Sequence, residues 1–188
     1  MMMWFRYVLL LLCMVSAPTL LAQSARSYVA ASVRLARPQG ALHDSLSMRQ
    51  TMQYDLRYLW SPSRSWIFGI GGSWMNSPSG NGPSADTLSG DVSITQMTVS
   101  ATWRPLKHGL SPLLGVEGGF GYLIPTDEIA SLPVLTSTLG ACYGAHVGVG
   151  GPLSERVDLN LTGRWMRLTT ETPLDLIAVS LSVVLRIQ

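Results

Sequence analysis

The amino-acid sequence predicts an all-β protein, an eight-stranded antiparallel up-and-down transmembrane β-barrel. Three observations predict it: an export signal at the amino terminus, repeated alternation of apolar and polar side chains, and connectors that alternate between short and long. Successive side chains of a strand point to opposite faces, so period-two alternation separates an apolar face from a polar one. Short turns at one end and longer loops at the other are typical of an up-and-down membrane barrel.

Residues 1–22 are interpreted as a cleaved signal peptide, which leaves 23–188 as one barrel domain. A positively charged start, the apolar run Tyr7–Val15 and a small polar stretch follow one another, which is the pattern of a secretory signal. The apolar run is too short to cross a bilayer, which needs about 20 residues. We expect cleavage after Ala22. The alternatives left open are cleavage after Ala17 or Ala25, or an uncleaved anchor.

The composition is unusual for a water-soluble domain. Charged residues are 13% of the chain, where about 25% is usual, and Lys107 is the only lysine. Loss of the signal removes one of 13 basic residues and none of the 11 acidic ones, so the near-neutral balance argues against a nucleic-acid partner. Cys142 remains as the only cysteine, which excludes an intramolecular disulfide. We expect no cofactor and no metal.

Eight segments show the alternation, each about as long as a tilted strand that crosses the hydrocarbon layer. They are Ser27–Ala36, Met48–Trp60, Ser65–Met75, Val92–Trp103, Pro112–Leu123, Thr136–Val149, Arg156–Leu168 and Leu176–Ile187. In the second, the pattern places Met48, Met52, Tyr54 and Leu56 on one face. The long connectors are Arg37–Ser47, Asn76–Asp91, Ile124–Leu135 and Thr169–Asp175, and the short ones are Ser61–Arg64, Arg104–Ser111 and Gly150–Glu155.

Three features indicate that the apolar face points outward to lipid. It carries no charge in its central part, and a charge facing mid-bilayer costs about 2–4 kcal/mol. The polar face is rich in glycine, which relieves crowding inside a narrow barrel. Aromatic side chains collect at strand ends, as in the girdles of membrane barrels: Trp60, Trp66 and Trp103 flank short turns, while Trp74, Tyr122 and Trp165 lie toward the opposite rim. The alternative is a soluble barrel with the apolar face inside.

The whole mature chain resembles the small outer-membrane β-barrel family, the OmpA-type transmembrane domain and its OmpX-like relatives. The resemblance rests on the signal, the hairpin pattern and the last strand, Leu176–Gln188. Family members commonly end that strand in phenylalanine, whereas this chain ends in Ile187-Gln188. The resemblance implies location in the cell outer membrane, contact with its lipids, insertion by the barrel assembly machinery and a monomeric state.

Charged residues on the polar face predict an ion-pair network inside the barrel, since a buried charge is tolerated only when it is paired. We expect Asp55 and Glu117 at mid-height, facing some of Arg34, Arg57 and Arg164. The same face also carries Arg49, His146, Arg156, Asp158 and Arg186. We interpret the network as a plug in a protein with a structural or surface-interaction role. The first alternative is a small gated pore, which the resemblance to OmpA-type barrels implies.

An enzyme is the second alternative, since some eight-stranded barrels modify lipid A with His, Ser and acidic residues near the outer rim. The loops hold such residue types: His43, Asp44 and Ser45 in the first, and Ser84, Asp86 and Ser89 in the second. Neighbours in sequence rarely assemble a triad, so we expect no catalysis. The pair His146 and Cys142 has too few ligands for a metal. Loops 37–47 and 76–91 are candidates for extracellular contacts.

Overall fold

The computed structural model describes residues 26–40, 48–78, 91–106, 109–125, 137–171 and 173–187. Within them the chain forms eight antiparallel strands that close into one barrel, in the order β1 to β8. The strands are β1 (Arg26–Gln39), β2 (Thr51–Ser61), β3 (Trp66–Pro78), β4 (Asp91–Trp103), β5 (Ser111–Pro125), β6 (Thr138–Pro152), β7 (Val157–Thr169) and β8 (Leu174–Arg186). The predicted fold class is confirmed.

Each strand pairs with its neighbour in sequence, and β1 closes the barrel on β8, with Val33 opposite Leu181. The strand starts and ends agree with the predicted segments to within a few residues. The start of β1, the end of β8 and the three short turns lie at one end, which we call the short-turn end. The other end, where the longer connections leave the barrel, is called the long-loop end. The predicted signal segment 1–22 lies outside the described residues. Within the described ranges no helix is long and apolar enough to cross a membrane.

Apolar side chains point outward, as predicted. Val99 is 57% exposed and Leu181 is 51% exposed, while the side chains of Arg57 and Glu117 are 10% and 1% exposed. Such an arrangement reverses that of a soluble barrel, whose apolar face is inside. The soluble alternative is therefore not supported by the geometry.

One expectation about the second strand is wrong. The alternation placed Met48 on the outward face with Met52 and Tyr54, but Met48 is 3% exposed and lies in the interior. Residues 49 and 50 are exposed and belong to no strand, so β2 begins only at Thr51. The two-residue period of β2 does not continue across residues 49 and 50, and Met48 lies in the interior.

The interior at the long-loop end is apolar, which the sequence reasoning missed. A cluster of buried side chains from seven strands and from Met48 fills it; we call it the apolar seal. Its members are Ala36, Met48, Met75, Val92, Ile94, Leu123, Cys142, Met166, Leu168, Leu174, Leu176 and Ala178. The signal for it was the loss of alternation near these strand ends, where apolar residues such as Leu123 and Ile124 follow each other directly.

Candidate functional site: the barrel interior

The predicted lumenal residues Arg34, Asp55, Arg57, Glu117 and Arg164 form one connected chain of charges. Asp55 sits between two arginines: its Oδ2 lies 3.0 Å from Arg34 Nη2, and its Oδ1 accepts from Arg57 Nε at 2.9 Å. We call these five residues the ion-pair chain.

Glu117 continues the chain on the other side of Arg57. Its Oε2 accepts from Arg57 Nη2 at 2.8 Å, and its Oε1 contacts Arg164 Nε. The signs therefore alternate from Arg34 to Arg164, with an arginine at each end. The strands β1, β2, β5 and β7 contribute the members, so the chain of charges connects distant parts of the barrel wall.

Glycine makes room for these long side chains. A Cβ at Gly71 would contact Arg57 Cγ and the carbonyl oxygen of Leu56. A Cβ at Gly144, which lies opposite Glu117 in the β5–β6 register, would contact the backbone of β7. Inward-facing glycines thus allow buried arginines inside a barrel whose bore is only wide enough for side chains.

A neutral polar layer separates the ion-pair chain from the apolar seal. Gln53 Nε2 donates to Ser73 Oγ at 3.0 Å and to Gln96 Oε1 at 3.2 Å, and Ser73 Oγ donates to the same Gln96 oxygen at 3.2 Å. All three side chains are buried. The layer satisfies the amide nitrogen of Gln53 and the amide oxygen of Gln96, whose burial without partners would be costly. Gln96 Nε2 is buried and has no hydrogen-bond partner among the described residues.

On the short-turn side of the ion-pair chain lies a cavity of about 90 Å³. Hydroxyl groups contribute much of its wall: Ser32 Oγ donates to Ser182 Oγ at 2.8 Å, and Thr102 Oγ1 lies 3.0 Å from His146 Nε2. His146 therefore has a hydroxyl partner in the interior. Cys142 lies in the apolar seal, and among the described residues no group of three metal-ligating side chains occurs.

Between this cavity and the short-turn end, the barrel widens into a mouth of about 1000 Å³, which we call the vestibule. Two acidic residues and five arginines line it: Glu155, Asp158, Arg26, Arg64, Arg104, Arg156 and Arg186. Arg104 Nη1 donates to Asp158 Oδ2 at 2.6 Å. Arg156 and Arg186 are exposed at this end, and Arg49 is exposed outside β2, so these three are not part of a buried network as the sequence suggested.

Outward-facing aromatic side chains lie near both ends of the strands. At the short-turn end, Trp60 stacks on Phe68 with ring centroids 5.9 Å apart, and Trp66 lies opposite Trp103 in the β3–β4 register. At the long-loop end, Trp74 stacks on Tyr54 and Trp165 meets Tyr143 edge to face. Tyr122 is 41% exposed at the same end of β5.

The candidate catalytic residues His43, Asp44, Ser45, Ser84, Asp86 and Ser89 lie outside the described residues. Loops 37–47 and 76–91 are described only at their ends.

An outward apolar surface, aromatic rows at both ends and a charged interior define the class of small eight-stranded outer-membrane barrels by fold. No protein-family model matches the sequence, and no curated protein matches it. Neisserial surface protein A (NspA) is similar in structure, with a TM-score of 0.65 and 15% identity, over 87% of this chain and 99% of that one. The outer-membrane protein OprG from Pseudomonas aeruginosa has a TM-score of 0.51 and 12% identity, over 86% and 93%. At these identities the likeness is one of fold.

Proposed function

We propose that this protein spans the bacterial outer membrane as a small β-barrel with a structural or surface-interaction role. The observation that carries the proposal is the exposed apolar wall between two aromatic rows. Leu56, Met97, Val116 and Leu181 are each at least half exposed, which would be unfavourable in water over so large a surface. In a bilayer the same side chains contact acyl chains, and the aromatic rings lie at the headgroup level.

The interior favours a plug over the alternative of a gated pore. The ion-pair chain crosses the bore, and the apolar seal fills the long-loop end above it with side chains such as Ile94 and Leu168, both fully buried. Ions cross an apolar constriction poorly because they lose hydration without gaining polar contacts. Movement of the charged side chains alone would leave the seal in place.

Membrane insertion is tested by cell fractionation and by gel mobility. The protein should remain in the outer-membrane fraction after extraction with alkaline carbonate, and it should migrate differently with and without boiling because a folded barrel resists the detergent. Release into the soluble periplasmic fraction, with one mobility in both gels, would contradict the proposal. A soluble barrel of known stability, run beside it, controls for the effect of boiling.

We propose further that the protein is not an enzyme of lipid A, although its loops carry histidine, serine and aspartate. Lipid A is compared by mass spectrometry from cells with and without the expressed protein. We expect identical acyl composition in both samples. Loss or gain of an acyl chain that depends on His43 would support the enzyme instead.

A further inference from the structure

We propose that the barrel interior binds one small monovalent anion, of the size of chloride, which enters from the short-turn end. The site lies between Arg34 on β1 and Arg164 on β7, the two ends of the ion-pair chain. Three arginines and two carboxylates form that chain. The chain therefore carries one positive charge in excess.

The excess charge is buried. The side chains of Arg34 and Arg164 are each 5% exposed. A buried charge without a counter-charge is costly, and proteins accordingly pair such charges. Asp55 and Glu117, the two carboxylates of the ion-pair chain, each contact two arginines already. The ion-pair chain therefore holds no further carboxylate to balance the third arginine.

The end arginines also keep N–H groups without a protein acceptor. Arg34 Nε and Nη1 and Arg164 Nη1 are buried and have no hydrogen-bond partner among the described residues. Both arginines line the 90 Å³ cavity. An anion is the ligand that satisfies guanidinium N–H groups and the excess charge together.

The strand between the two arginines leaves room for that anion. Arg34 lies opposite Ser180 on one side of β8, and Arg164 lies opposite Ala178 on the other side. Small residues occupy the inward positions of β8 there, namely Ala178, Ser180 and Ser182. The Ser180 hydroxyl can donate a hydrogen bond to an anion placed between the guanidinium groups.

An anion could enter from the short-turn end, which is open and lined by arginines, but not from the apolar long-loop end. At the short-turn end, Ile67 lines both the cavity and the vestibule, so the two spaces adjoin. Five arginines against two acidic residues around the vestibule give it a positive potential that attracts anions. The apolar seal closes the opposite end, so the site is a blind pocket and not part of a conducting path.

The test measures thermal unfolding of the refolded protein in detergent, in sodium chloride or sodium gluconate at equal ionic strength. Chloride should raise the melting temperature of the wild-type protein in a saturable way, by about 3 °C at tenfold its dissociation constant. Gluconate is too large for the cavity and should have no such effect. Equal melting temperatures in both salts would overturn the proposal.

Two variants localise the effect. Ser180→Asp places a carboxylate beside Arg34, and Arg34→Gln removes the excess charge, so both should abolish the difference between the salts. Ser180→Asn is the control, because asparagine has almost the same size as aspartate and no charge. This variant should keep the difference in melting temperature between the two salts. Line broadening of the ³⁵Cl resonance should follow the same order. If both charge variants fold, as shown by gel mobility, and respond to chloride like the wild type, the anion binds elsewhere and the assignment is wrong.

Discussion

Arg57 Nη2 donates a hydrogen bond of 2.8 Å to Glu117 Oε2 and so connects β2 to β5, two strands that do not pair with each other. The bond joins the two carboxylate-centred halves of the ion-pair chain. Since both side chains are buried, removing one partner leaves the other charge uncompensated, which costs more than breaking an exposed ion pair.

Neutralising Glu117 should destabilise the barrel. Glu117→Gln leaves Arg164 without a carboxylate partner inside the barrel, and uncompensated buried charges cost about 3–5 kcal/mol. The urea midpoint of unfolding, followed by gel mobility in lipid vesicles, measures the change. The double variant Glu117→Gln, Arg164→Met removes both members and should recover part of the loss.

The control for this variant is the pair Arg167 and Asp175 at the long-loop end, where Arg167 Nη2 lies 2.8 Å from Asp175 Oδ2. Its arginine side chain is 40% exposed, so Asp175→Asn should change the midpoint far less. Equal losses for Glu117→Gln and Asp175→Asn would show that burial of the ion-pair chain contributes nothing.

Two adjacent glycines of β3 should respond differently to the same substitution. Gly71 faces inward, where a Cβ would contact Arg57 Cγ, whereas Gly72 faces outward with Gln96 O as its nearest neighbour at 3.6 Å. We expect Gly71→Ala to destabilise the barrel by about 1–3 kcal/mol through overpacking. Gly72→Ala should stay within about 0.5 kcal/mol of the wild type. Urea unfolding measures the free energy of unfolding of both variants. A larger loss for Gly72→Ala than for Gly71→Ala would mean that the inward and outward faces of β3 are assigned wrongly.

A charge on the outward face should be costly only in the middle of the wall. Val99 is 57% exposed near the centre of β4, so Val99→Arg should cost about 2–4 kcal/mol in a bilayer. Leu110 is 75% exposed in a short turn, and Leu110→Arg should be nearly neutral. The free energies of unfolding of the two variants are compared in lipid vesicles. A harmless arginine at position 99 would argue against contact with acyl chains.

Conductance in planar bilayers distinguishes the plug from the gated pore. Glu117→Ala should conduct no more than the wild type, because the apolar seal still closes the long-loop end. Truncating the seal as well, with Ile94→Ala and Leu168→Ala added, should raise the conductance. A large increase from Glu117→Ala alone would instead identify Glu117 as part of a gate.

Local pattern determined much of the fold. The inward or outward direction of Arg34, Asp55, Glu117 and Leu181 follows from the two-residue period of a strand, which is a property of the backbone and needs no partner. The same period predicted the eight strands, since each segment separates its side chains into two faces. It failed at Met48, which two residues outside any strand separate from the start of β2 at Thr51.

Only the closed barrel decided which side chains meet. Arg57 reaches Glu117, and Arg34 and Arg164 come to lie on either side of β8, because the register of strand pairing and the closure of β1 on β8 set their relative heights. The apolar seal is also a tertiary feature: near the long-loop end both faces are apolar, so alternation cannot say which residue points inward. Sequence by itself therefore determined the faces of the strands. The packing of eight strands around one axis determined the ion-pair chain, the apolar seal, and the cavity that lies between the ion-pair chain and the vestibule.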